Sequence, residues 1–269
     1  MNVGLTFAVF VACGLGAGFF AGLFGIGGGL IMVPVLVFAF TMSGMAAEHV
    51  VAVALGTSLA AIVFSAAQSA YGHYRRGSAS IEVVRRVAPW VVVGVALGSA
   101  VAAETPSAML LIFVGGFQLF AAALMLADVS QLSALRIVAK RHLALGVCSL
   151  AFGCIAALAG IGGGTLFTPY FKASGMEPKR AIGTSAAIGL PISLAGALAY
   201  AWEGREVPLG HWTIGYINLP ALAALVLGTL VTVRLGVAVA HWLPGRILAS
   251  SFAMFLLFNG GHLLYSALK

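Results

Sequence analysis

Gly25-Ile26-Gly27-Gly28-Gly29 interrupts one long apolar stretch of this chain, and Gly160-Ile161-Gly162-Gly163-Gly164 interrupts another, 135 residues later. A proline follows each at the same distance, Pro34 and Pro169. Glycine clusters are poor helix formers, so each run breaks a membrane helix. Irregular backbone at membrane depth is tolerated only where it is buried in protein or lines a cavity. A matched pair of such breaks, one per half, points to the substrate site of a transporter.

The composition agrees with a lipid environment. Of 269 residues, 61% are hydrophobic and 8% charged, with a mean hydropathy of +1.09. Soluble domains carry about 25% charged residues. Apolar stretches near the ~20 residues a bilayer requires recur along the whole length, and no polar segment between them is long enough for a soluble domain. The reading is one transmembrane domain, 1–269, all-α and polytopic. The net charge of +7 does not form a contiguous patch, so nucleic acid is not an expected partner, whereas the lipid bilayer is. The first 22 residues lack a positive start and a convincing cleavage site, and they belong to the repeat described next. Cys13, Cys148 and Cys154 read as small buried hydrophobes, with no C-x-x-C spacing.

Residues 13–34 and 148–169 are identical at 11 of 22 aligned positions. A second block matches Gly56-Thr57-Ser58 with Gly183-Thr184-Ser185, and a third Gly115-Gly116 with Gly260-Gly261. The chain is therefore read as two homologous halves, 1–127 and 143–269. Apolar segments fall at 3–42, 50–72, 88–103 and 107–126, then at 143–171, 181–202, 212–233 and 247–268.

Basic residues set the topology. Arg75, Arg76, Arg85 and Arg86 form one group; Arg136, Lys140 and Arg141 a second; Lys172, Lys179 and Arg180 a third; Arg234 and Arg246 a fourth. Only the glycine-broken segment 143–171 lies between the second and third groups. A single crossing there would place Lys172, Lys179 and Arg180 outside. A re-entrant hairpin folded at Gly162–Gly164 returns to the same side, and the same reasoning for 3–42 leaves both termini outside. Each half then has a re-entrant helix plus three spans, so the halves are inverted. The alternative, one broken span per segment, gives eight spans and parallel repeats.

Helix N-termini after the breaks offer orphan N–H groups and about half a positive charge, which suits a small anion. The candidate binding residues are Gly27, Gly28, Gly29, Gly162, Gly163 and Gly164, with hydroxyls from Thr57, Ser58, Thr184 and Ser185. Pro34 and Pro169 are candidate helix-break or gating positions. Intramembrane polar residues are costly and hence candidates for a pathway: Gln68, Gln118, Asn218, Asn259 and His262. Each also fits an interhelical hydrogen bond. Gly14-x-x-x-Gly18 and Gly94-x-x-x-Gly98 read as helix-packing motifs, and Arg234 as a residue snorkelling from a helix end. No Walker A motif is present, the glycines lack the strand and acid of a dinucleotide fingerprint, and no metal or cofactor is expected.

The duplicated Gly-Ile-Gly-Gly-Gly-x4-Pro followed by Gly-Thr-Ser resembles the TauE/SafE family of membrane permeases over essentially the whole chain. Lys179-Arg180-Ala181-x-Gly183-Thr184-Ser185 fits that pattern well. The first half departs from it, with Glu48-His49 where a basic residue is expected. The resemblance implies export of sulfite, sulfoacetate or a related organosulfonate across the bacterial cytoplasmic membrane, with residues 25–34, 56–58, 160–169 and 183–185 framing the pathway. The expected function is a secondary transporter of such a small sulfur-containing anion, working by alternating access. A passive anion channel is the alternative. An integral-membrane enzyme is the more distant one, because it would need clustered His, Asp or Glu that the sequence does not display. A homodimer stays open as the assembly.

Overall fold

The computed structural model describes residues 8, 10–12, 14–19, 28–126, 142–242 and 245–268. The described part of the first segment is helical. It is followed by α1 (Gly29–Met42), α2 (Ala47–Arg75), α3 (Ile81–Glu104), α4 (Ser107–Leu126), α5 (His142–Ala159), α6 (Gly164–Ala173), α7 (Pro178–Glu203), α8 (Leu219–Trp242) and α9 (Gly245–Ala267). A two-residue antiparallel pair, β1 (Thr213–Ile214) with β2 (Ile217–Asn218), is the sheet structure among the described residues. The protein is all-α and polytopic. Among the described residues four helices are long and apolar enough to cross a membrane: Ala47–Arg75, Ile81–Glu104, Ser107–Leu124 and Pro178–Glu203.

Their outer surfaces face lipid. On α3 the exposed positions Trp90, Val93, Leu97 and Val101 recur at helical spacing, and on α7 Leu194, Leu198 and Trp202 do the same. Unbroken apolar stripes of this kind on a protein surface mark contact with another apolar phase. The core is built around α2, which is buried at every residue from Val50 to Ile62. A helix apolar all round has neighbours all round.

α2 and α7 carry the two Gly-Thr-Ser triplets and run antiparallel. A Cβ on Gly56 would sit 2.9 Å from the Tyr200 Cβ, one on Gly196 2.7 Å from the Leu59 side chain, and one on Gly189 3.7 Å from the Ala66 Cβ. Small residues let the two backbones approach. The reading of the two GxxxG patterns as packing motifs also fits: a Cβ on Gly14 would lie 2.6 Å from the Ala224 carbonyl oxygen, and one on Gly98 2.5 Å from that of Cys154.

Charge separates along the molecule. At one end the loop after α2 meets the start of α7: a Cβ on Gly183 would touch the Ser78 carbonyl oxygen at 2.5 Å. This brings Arg75 and Arg76 to the same end as Lys179 and Arg180. At the other end the Ser107 hydroxyl donates to the Glu48 carbonyl (2.7 Å), the His49 and Tyr216 rings lie 6.4 Å apart, and Tyr200 leads into Glu203 and Glu206. Arg205, the basic residue of this acidic end, stacks 4.1 Å over the Trp202 ring and pairs with Glu206 at 3.1 Å.

Two boundaries differ from the sequence reading. The segment expected at 88–103 begins at Ile81, because Glu82 and Arg86 pair across one turn (2.6 Å) on the exposed start of α3. The segment expected at 212–233 begins only at Leu219 and runs to Trp242. Residues 213–218 form a short β-hairpin, with Gly215 in its turn at φ +54°. Arg234 therefore stands inside α8 rather than at its end.

Candidate functional site

α5 ends in a left-handed cap. Gly160 has φ +63°, its N–H donates to Ala157 (3.3 Å), and the Ile161 N–H donates to Ala156 (3.0 Å). This double bond pattern closes the helix, and it favours glycine at the turning residue. The chain then reverses. The Phe152 ring of α5 lies 5.1 Å from that of Phe167 and 5.6 Å from that of Tyr170, both on α6. Aromatic side chains thus fill the space between two arms running in opposite directions. α6 ends in another left-handed glycine, Gly175 (φ +92°), close to the basic start of α7. The segment 142–173 is a hairpin that leaves and returns to the basic end.

The first half carries the counterpart. Gly28 has φ +79° and precedes α1, its carbonyl accepting from the Ile31 and Met32 N–H groups at 3.0 Å each. The Phe10 ring packs 5.4 Å from that of Phe40, near the far end of α1. Phe10 and the end of α1 therefore lie side by side. Gly25, Ile26 and the candidate Gly27 lie outside the described residues.

The two breaks meet. A Cβ on Gly29 would stand 2.6 Å from the Gly160 carbonyl oxygen, 2.8 Å from the Ile161 Cα and 2.9 Å from the Ile62 side chain. Ile62 lies midway along α2, and it is also the neighbour of Gly162, at 3.5 Å from a Cβ there. Gly163 packs on α7, where a Cβ would meet the Ser185 carbonyl oxygen at 2.8 Å. Gly28, Gly29, Gly162 and Gly163 thus gather at the middle of the α2–α7 pair, and Gly164 begins α6 beside them.

The hydroxyls divide by role. Ser58 donates to the Gly160 carbonyl (3.1 Å) and ties α2 to the second break. Ser185 donates to Ala181 within its own helix (2.7 Å). The Thr57 hydroxyl oxygen accepts the Asn218 N–H, and that of Thr184 accepts the Ser80 N–H, both at 3.0 Å. Asn218 precedes α8 and Ser80 precedes α3. Each triplet therefore holds the start of a helix belonging to the other half, Thr57 at the acidic end and Thr184 at the basic end. All four hydroxyl residues are fully buried.

Pro34 and Pro169 lie within α1 and α6 and do not terminate them. Their effect falls four residues back, where a proline withholds the N–H that a helix would donate. Pro34 frees the Leu30 carbonyl, and Gln118 Nε2 supplies the missing bond at 3.2 Å. Gln118 is 1% exposed and its Oε1 has no partner. Pro169 frees the Thr165 carbonyl in the same manner, and the buried Thr165 hydroxyl is unpartnered.

Other polar candidates stand apart from this centre. Gln68 of α2 and His262 of α9 are exposed. Asn259 donates to Phe255 within its own helix (3.0 Å), and Asn218 Oδ1 caps α8 by accepting the Ala221 N–H (3.0 Å). Sequence reading missed Ile62, which both breaks touch, and Ser80; it singled out Asn218 as a polar candidate, not as the partner of Thr57. No group of three metal-ligating side chains occurs among the described residues.

A polytopic helical membrane protein with two broken helices meeting at its centre has the architecture of a transporter. The family model of the sulfite exporter TauE/SafE matches residues 10–263, and the chain belongs to that family. A probable membrane transporter protein of Haemophilus influenzae is 31% identical over 242 residues, covering 90% of this chain and 91% of its own. A probable membrane transporter protein of Methanocaldococcus jannaschii is 25% identical over 241 residues, covering 87% and 86%. Another, of Bacillus subtilis, is 26% identical over 289 residues, covering 98% and 99%. No solved structure gives a significant match. The protein is a multi-pass membrane transporter.

Proposed function

We propose that this chain exports a small sulfur-containing anion, sulfite or an organosulfonate such as sulfoacetate, across the bacterial cytoplasmic membrane by alternating access. The observation that carries the reading is the approach of Gly29 to Gly160 and Ile161, which brings two glycine breaks together. The α1 and α6 N-termini then present uncapped N–H groups near one another, and two converging dipoles attract an anion without a buried Arg or Lys. The antiparallel course of α2 and α7 supports inverted repeats, because it is what inversion requires of corresponding helices. The basic end is the cytoplasmic one by the positive-inside bias.

The crossed contacts Thr57–Asn218 and Thr184–Ser80 fit a pair of gates, one on either side of the meeting point. Breaking one while keeping the other opens the centre to one side only. An inside-negative potential favours anion exit by about 2.3 kcal/mol per charge per 100 mV, so export runs downhill without ATP. Uptake into inside-out vesicles, measured for sulfite, thiosulfate, sulfoacetate and sulfolactate, tests the reading. At least one is taken up well above vesicles lacking the protein, and uptake is abolished by Gly29→Leu or Gly163→Leu in normally inserted protein. Unchanged transport in both variants removes the glycine centre as the site.

A further inference from the structure

One side chain of α2 reaches both glycine breaks. The Ile62 Cδ1 lies 2.9 Å from where a Cβ on Gly29 would stand, and its Cγ2 3.5 Å from where one on Gly162 would. Ile62 is fully buried, midway along the helix. Branching at Cβ leaves an isoleucine in a helix with essentially one χ1 rotamer, so this side chain is a stiff wall.

The second half places a different residue there. The register that aligns Gly56-Thr57-Ser58 with Gly183-Thr184-Ser185 sets Ile62 against Gly189 of α7. Close packing does not demand a glycine at that position. A Cβ on Gly189 would stand 3.5 Å from the Gly163 nitrogen and 3.7 Å from the Ala66 Cβ, both ordinary contacts. By contrast, a Cβ on Gly29 or Gly163 would come within 2.6 Å and 2.8 Å of a carbonyl oxygen. The same place in the two halves is thus filled beside the first break and open beside the second.

We propose that Ile62 is the specificity-determining residue of the central site, setting the largest anion the breaks admit, with Gly189 leaving the room that the anion's bulk takes. The proposal rests on the transport reading above. An anion leaving water needs hydrogen-bond donors in exchange. Ile62 offers none, so the anion lies against the glycine backbone and Ile62 limits its size. A single methylene at the wall of an apolar pocket changes discrimination by about 10–200-fold. Ile62→Val shortens that wall, and Ile62→Ala removes most of it.

Initial rates of sulfite, thiosulfate, sulfoacetate and sulfolactate uptake into inside-out vesicles, normalised to inserted protein, test the inference. The quantity read is the rate of the two larger anions relative to the two smaller ones. Ile62→Ala should raise that ratio at least tenfold, and Ile62→Val should raise it by a smaller factor. Gly189→Ala, whose methyl group occupies the open place, should lower it. A residue that merely packs would change all four rates alike, so an unmoved ratio in Ile62→Ala overturns the inference and leaves the transport reading standing. Should Ile62→Ala not insert, Ile62→Val decides by the same criterion. A wild-type chain that carries none of the four anions refutes the transport reading and this inference together.

Discussion

Gln118 is explained by Pro34, one turn along α1 from the carbonyl that Gln118 binds. Pro34 withholds the N–H that the Leu30 carbonyl would accept, and Gln118 Nε2 takes its place. Gln118→Leu should therefore destabilise by about 1–3 kcal/mol, the penalty for a buried orphan carbonyl. Pro34→Ala restores the helical donor, so the double variant should lose less than the single changes summed. A cycle of thermal-unfolding measurements in detergent checks this, and strict additivity would contradict the pairing. Gly29 is constrained more tightly. Even Gly29→Ala places a methyl group 2.6 Å from the Gly160 carbonyl oxygen, and overpacking of that kind costs about 1–3 kcal/mol. Sulfite or sulfonate uptake should fall at least tenfold in that variant.

At the scale of elements, the glycine runs and the end at which the hairpin 142–173 enters were legible in the sequence. Helix propensity and loop charge are local properties, and here they point the same way. The faces of the helices were not legible. In a bilayer the lipid-facing and core-facing sides are both apolar, so Leu198, 65% exposed, and Ile192, fully buried, look alike in sequence. Gln68 and His262, expected in a pathway, are both exposed. The crossed threonines were hidden for a different reason: Thr57 and Asn218 are 161 residues apart, and Thr184 and Ser80 104 apart. Their recurrence in both halves marked them as important without naming their partners. Thr57→Val and Thr184→Val each leave one amide at a helix start without its acceptor. If they are gates, the two variants should shift accessibility of the centre in opposite directions. A thiol at Ser58→Cys, labelled in right-side-out and inside-out vesicles, reads that shift; equal shifts in both variants would argue that the threonines only hold helices in place.

The whole molecule is organised by charge and by direction. Basic residues gather where Ser78 meets Gly183, acidic ones where Ser107 meets Glu48, and the hairpin 142–173 enters from the basic end. A transporter, as opposed to a passive anion channel, should move its anion at a saturable rate without single-channel currents when reconstituted. The central claim is that hairpins from opposite faces bring the two glycine breaks together, and side-specific thiol labelling tests it most directly. In a chain with Cys13, Cys148 and Cys154 replaced by Ala, single cysteines at Arg76 and Lys172 should be labelled from the cytoplasmic face. Those at Glu104 and Glu203 should be labelled from the opposite face. Labelling of Arg76→Cys and Lys172→Cys from opposite faces would make the glycine-broken segment a single crossing and contradict the account.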